Sequence, residues 1–160
     1  MAETAAARIR LLCLDVDGVL TNGTVLIGDE REFKQFNIQD GLGLRLLQKS
    51  GIKVGWISNR SSSATRQRAE ELKVDFLFQE PGNKVEVIES ILSKAGLTWK
   101  DASFMGDDVV DLGGLKRAGV AIAVANAIAE AKALAHYVTT ARGGEGAVPG
   151  GFFVEVDRQL

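Results

Sequence analysis

Short apolar runs, each only a few residues long and each followed by turn-forming or polar residues, recur at residues 11–14, 54–57, 76–78, 103–105 and 120–124. Strands that short and that uniformly apolar belong in a parallel sheet covered on both faces. Helical patterns fill the gaps. Leu42, Leu46 and Leu47 form one stripe, closed by Gly51 as a C-terminal cap. Residues 61–73 are polar with a thin Ala69/Leu72 stripe, and serines stand at their start as caps. Val85, Ile88, Ile91, Leu92 and Ala95 make the clearest amphipathic stripe, ending at Gly96. Residues 127–134 are rich in alanine and read as helix. This alternation predicts an α/β fold: a three-layer sandwich around a parallel, Rossmann-like sheet with right-handed crossovers.

Two segments break the rhythm. Residues 24–27 and 32–38 flank Gly28-Asp29-Glu30, which predicts a β-hairpin (about 24–38) inserted between the first strand and its helix. Gly143, Gly144, Gly146, Gly150 and Gly151 crowd one short stretch, which predicts a flexible tail over about 143–160 with no regular element. Nothing else divides the chain, so residues 1–160 are expected to form a single domain.

Composition narrows the function. Hydrophobic residues make up 46% and charged residues 25%, an ordinary globular balance. Nineteen basic and 21 acidic residues leave a net charge of −2, which provides neither a nucleic-acid footprint nor a polybasic membrane anchor. The longest apolar stretch, 118–125, is too short to span a bilayer, and residues 1–10 hold no apolar signal core. Cys13 is the sole cysteine, so no disulfide framework exists, as suits a reducing compartment. A cytoplasmic enzyme or signalling module is expected.

Four chemical signals stand at strand ends. Asp15-Val16-Asp17-Gly18 follows the first apolar run, and Gly18 permits the bend that lets both acids share one site. Gly106-Asp107-Asp108-Val109-Val110-Asp111 follows the run at 103–105. Acids there also suit a helix N-terminus, but two acidic clusters, each at the end of a buried strand, call for a hard cation such as Mg²⁺. Ser58-Asn59-Arg60 forms a strand-to-helix turn able to hold phosphate oxygens, or simply a turn. Lys84 opens the amphipathic helix, where it opposes the dipole; it is either an exposed lysine or one drawn there by negative charge.

The order acid pair, hydroxyl, lysine, acid cluster resembles the haloacid dehalogenase superfamily of phosphohydrolases, over essentially the whole chain. The resemblance implies that Asp15 is the nucleophile that forms an aspartyl-phosphate. Asp17 would protonate the leaving alcohol and then activate water. Ser58 would bind the phosphoryl group and Lys84 would neutralise it. Asp15, Asp107 and the backbone carbonyl of Asp17 would bind Mg²⁺, with Asp108 and Asp111 supporting the metal or positioning Lys84. A second aspartate favours phosphatase chemistry, since carbon–halogen hydrolysis needs no general acid.

The gaps between Asp15 and Ser58, and between Ser58 and Lys84, are too short for a cap domain. With residues 14–21, 36–41, Asn83-Lys84, Gly106-Asp107-Asp108, 137–139 and 143–148, the chain is similar to the capless 3-deoxy-D-manno-octulosonate 8-phosphate phosphatases. That family implies a phosphorylated acidic sugar as substrate, a hairpin-built homotetramer whose neighbouring subunits help close each site, and a place in lipopolysaccharide synthesis. Asn59 stands where the family usually has glycine, and Glu145 where its tail commonly has a basic residue. A nine-carbon, sialic-acid-type 9-phosphate is therefore the alternative substrate, with Arg60 the further candidate contact. The non-enzymatic alternatives are an oligomerisation module and a phosphorelay receiver, whose lysine and acids fall in a different order. His136, Trp56, Trp99 and Cys13 are read as structural, and Arg66, Arg68 and Lys73 as a solvated helix face.

Overall fold

A computed structural model describes residues 4–157, with side chains described through residue 152. Six parallel strands form the central sheet: β1 (Leu11–Leu14), β4 (Lys53–Ile57), β5 (Phe76–Phe78), β6 (Ala102–Gly106), β7 (Val120–Ala123) and β8 (Tyr137–Val138). Their order is β5-β4-β1-β6-β7-β8. The chain runs outward from β1 to one edge, then returns to the other side of β1. That reversal makes the carboxyl ends of β1 and β6 the switch point where open α/β sheets bind ligands. Strands β1, β6 and β7 are wholly buried, which is why β1 and β7 read as continuous apolar runs and β6 as one broken only by Ser103.

Helices α1 (Ile38–Lys49), α2 (Ser63–Glu71), α3 (Lys84–Ala95), α4 (Leu112–Arg117), α5 (Ala129–Leu134) and α6 (Ala147–Asp157) cover the sheet. α1 packs on α6, α3 on α4, and α4 on α5. The caps follow from local chemistry. Asn37 accepts from Gln39 N, Ser62 from Thr65 N and Asn83 from Val85 N, and Gly96 ends α3 in the left-handed conformation. The α/β three-layer sandwich expected from the alternation is the fold observed.

Three expectations are corrected in detail. The inner face of α1 is Asp40, Gly41, Gly43, Leu44 and Leu47, whereas Leu42 and Leu46 are exposed. Of the predicted stripe only Leu47 faces inward: leucines line both sides of this helix, so apolar character alone does not mark its inner face. Gly51 lies one residue past the Ser50 cap, with φ +93°. The hairpin is shorter than 24–38: β2 (Leu26–Gly28) pairs antiparallel with β3 (Arg31–Phe33), and Ile38 already belongs to α1. Asp29 and Glu30 both take positive φ, as a two-residue hairpin turn of that twist requires.

The third correction concerns the glycine-rich tail, which carries the regular helix α6. Ala147 and Val148 are fully buried and Phe152 nearly so, anchoring the helix against the core. The glycines serve close approach: a Cβ on Gly143 would overlap the Gly18 carbonyl, and one on Gly151 would meet Met105 Cε at 2.7 Å. Residues 158–160, also expected in the tail, lie outside the described residues.

Candidate active site

Leu14 pairs with both Trp56 and Met105, so Asp15 emerges at the tip of β1, between the ends of β4 and β6. Beyond it the chain folds back sharply. The amides of Val19, Leu20 and Thr21 all donate to the Val16 carbonyl, and Gly18 takes φ +88°. A side chain on Gly18 would overlap Asp107 Oδ2, so glycine there brings the two acidic loops into contact.

Lys84 joins these loops. Its Nζ donates to Asp15 Oδ1 and to Asp111 Oδ1, both at 2.8 Å. All three residues are buried. The other oxygen of Asp111 accepts from the amides of Asp107 (2.9 Å) and Asp108 (3.2 Å). Asp111 therefore orients Lys84 with one oxygen and ties the loop after β6 with the other. The lysine at a helix start is explained: two buried carboxylates outweigh the unfavourable dipole.

The electrostatics are tense. Burial, then repulsion from Asp111, pushes the Asp15 pKa up to about 6, against the attraction of Lys84. Burial, then Asp15 and Asp111, pushes Asp107 up to about 9. Burial works against the charge on Lys84, but Asp15 and Asp111 outweigh it and hold its pKa above the ordinary lysine value. One lysine cannot neutralise three carboxylates. Ligand atoms of Asp15, Asp107 and Asp111 lie within 4.8 Å of one another. Asp107 Oδ1 is buried with no hydrogen-bond partner among the described residues. An all-oxygen donor set with an orphaned carboxylate oxygen fits a hard divalent cation such as Mg²⁺.

The remaining expected residues divide. Ser58, at the end of β4, is buried; its Oγ donates to the Arg60 carbonyl and accepts from the Arg60 amide, both at 3.1 Å. Asn59 is half-buried beside it, and the exposed Arg60 side chain pairs with Glu32 of the hairpin. Asp108 is exposed and accepts from Val109 N at 2.7 Å, so it caps the short turn that carries Asp111 and lies outside the carboxylate cluster. Asp17 also keeps its carboxylate apart from that cluster, with Oδ1 2.8 Å from Lys34 Nζ.

Lys34 was not singled out from the sequence, nor was Asn126. Asn126 donates to the Gly18 carbonyl (3.1 Å) and accepts from Gly143 N (2.6 Å), strapping the glycine-rich segment onto the Asp17 loop. Neither sits in a motif, and only the tertiary contacts reveal them. The residues read as structural behave so: Trp56 stacks on Phe36, and His136 Nδ1 accepts from Ala121 N. Burial pushes the Cys13 thiol up to about 12, far from a reactive thiolate.

Comparison with known proteins places this arrangement. A haloacid dehalogenase-like hydrolase family model matches residues 76–148. The 3-deoxy-D-manno-octulosonate 8-phosphate phosphatase KdsC of Salmonella typhi is 37% identical over 146 residues, 91% of this chain and 78% of that protein. A probable phosphatase of the YrbI family from Pseudomonas syringae superposes with TM-score 0.92 at 35% identity, over 97% of this chain and 89% of that one. The phosphatase from Moraxella catarrhalis, solved with magnesium ion, phosphate ion and KDO, superposes with TM-score 0.87 at 32% identity, over 98% and 96%. Identity at that level, over about nine-tenths of the chain, means that the chain belongs to the haloacid dehalogenase-like hydrolases, in the family of the 3-deoxy-D-manno-octulosonate 8-phosphate phosphatases.

Proposed function

We propose that the chain hydrolyses 3-deoxy-D-manno-octulosonate 8-phosphate to the free sugar acid and phosphate, through an aspartyl-phosphate on Asp15. The observation that carries this reading is the buried ammonium of Lys84, shared by Asp15 and Asp111 at the sheet's switch point. Phosphoryl transfer needs in-line positioning and fixed positive charge more than covalent chemistry.

Asp15 attacks phosphorus, and the bond to the sugar oxygen breaks. Asp17 protonates that oxygen as it leaves, then takes a proton from the water that attacks the aspartyl-phosphate. Lys84 faces the phosphoryl oxygens while Asp111 fixes its direction. Ser58 and the turn through Asn59 hold the transferring group, and Arg60 contacts the sugar. Asp15, Asp107 and the backbone carbonyl of Asp17 would hold Mg²⁺. When bound, the ion offsets the repulsion between the Asp15 carboxylate and a dianionic phosphate. Asp108 supports the site by capping the turn that presents Asp111.

The proposal extends to a homotetramer in the cytoplasm. The exposed apolar side chains of the hairpin support self-association, and the free Cys13 suits a reducing compartment. Phosphate release with Mg²⁺, compared by kcat/KM between the eight-carbon substrate and a nine-carbon sialic-acid-type 9-phosphate, tests the substrate. A strong eight-carbon preference is expected. A nine-carbon preference would keep the mechanism and overturn the substrate, pointing to Asn59 and Glu145.

A further inference from the structure

Lys34 follows β3, and its side chain is wholly shielded from solvent. A buried ammonium is costly unless its partners compensate it. Its Nζ lies 2.8 Å from Asp17 Oδ1 and 3.7 Å from Glu32 Oε1, and it donates to Thr65 Oγ1 at 3.0 Å. Thr65 is fully buried in the first turn of α2, where its amide donates to the Ser62 cap. Glu32 in turn pairs with Arg60. One ammonium thus joins the hairpin, α2 and the loop that carries Asp17.

The Asp17 side chain is 27% exposed, against 9% for Asp15 and none for Asp111. Asp17 Oδ1 is buried, and its contact with Lys34 is an ion pair without a directed hydrogen bond. A carboxylate at a partly open position has rotamers to lose, and proton transfer to a leaving oxygen requires one of them. No other described cation pairs with Asp17.

We propose that Lys34 is a positioning residue for this reaction: clamped by Thr65 and Glu32, it holds the Asp17 carboxylate in the orientation from which it reaches the leaving oxygen. This rests on the phosphatase reading above. It gives the inserted hairpin a part in catalysis that its outer apolar face does not suggest. It also connects Arg60 to Asp17 through Glu32 and Lys34, so the residue placed against the sugar bears on the residue that serves the sugar's oxygen.

The test compares Lys34→Met and Lys34→Arg in the wild-type and Asp17→Asn backgrounds. Each is assayed on 3-deoxy-D-manno-octulosonate 8-phosphate and on p-nitrophenyl phosphate, whose aryl leaving group needs little protonation. Lys34→Met is expected to lower kcat on the sugar phosphate by about 10–100-fold, with KM moving far less, and to cost much less on the aryl ester. In the Asp17→Asn background it should cost nothing further, and Lys34→Arg should recover part of the loss. Equal losses on both esters, or a full additional loss without Asp17, would overturn the proposal. If Lys34→Met fails to fold, Thr65→Val removes an anchor without touching charge and must show the same ester-dependent pattern, or the proposal falls. Should the wild type reject the sugar phosphate, the substrate reading fails by itself; the Lys34 series is then judged on glycerol 3-phosphate against the aryl ester.

Discussion

Lys84 Nζ sits 2.8 Å from Asp15 Oδ1, although 69 positions separate the two residues in the chain. The same ammonium lies 2.8 Å from Asp111 Oδ1, so one buried cation holds together the ends of β1 and β6. Lys84→Met leaves two buried carboxylates facing each other without compensation. In chelator the variant should lose about 3–5 kcal/mol of stability, read as a lowered Tm, most severely at high pH. Mg²⁺ should restore part of the Tm but none of the activity. An unchanged Tm in chelator would contradict the central place given to this ion pair.

Asp40 links α1 to α6 by accepting from Val148 N at 3.0 Å, and its second oxygen is buried with no hydrogen-bond partner among the described residues. Burial pushes its pKa up to about 6, against the amides of Val148 and Gly146 and the charge of Arg68. A pKa higher in the folded state than in the unfolded chain means that folding is favoured by the protonated form. The contribution is full below pH ~4 and is lost as pH rises through about 6. Asp40→Asn cannot ionise. Its Tm relative to wild type should therefore climb between pH 4 and 7, by about 4 °C. The difference between the two proteins isolates Asp40 from the other titrating acids, and a flat difference would refute the assignment.

Leu26 and Ile27 are each 70% exposed and Phe33 is 54% exposed, on a two-stranded sheet that no third strand joins among the described residues. An isolated hairpin with such a face is marginal in water. Wild-type protein should scatter light as a symmetric oligomer, and the Leu26→Ser/Phe33→Ser double variant should dissociate while keeping its far-UV circular dichroism. A fully active wild-type monomer would contradict the oligomer.

How far the sequence could be read depended on what each residue type signals by itself. Strands β1, β6 and β7 were legible because burial on both faces leaves them almost wholly apolar, the buried Ser103 of β6 satisfying its hydroxyl on the Val120 carbonyl. Helix α3 was legible because its apolar residues keep to one side and Gly96 stops it. The inner face of α1 was not, since Leu42 and Leu46 outside mimic Leu44 and Leu47 inside. Gly143 and Gly151 looked like disorder because their purpose, room for the Gly18 carbonyl and for Met105, lies in distant parts of the chain. In the site, Asp15, Lys84, Asp107 and Asp111 were legible as an ordered set, and they meet. Asp108 was grouped with them by adjacency, yet its carboxylate only caps a turn. Lys34 and Asn126 carry no signature, because a lone lysine or asparagine acquires its meaning only from the partner that folding supplies.

The most direct test is to find where phosphate attaches. Protein should be mixed with Mg²⁺ and substrate labelled in its phosphate, quenched in acid during turnover, and digested for mass spectrometry. Label on the peptide that contains Asp15, absent from Asp15→Asn protein that neither carries label nor releases phosphate, is the expected result. Label on another residue, or undiminished phosphate release by Asp15→Asn, would contradict Asp15 as the nucleophile.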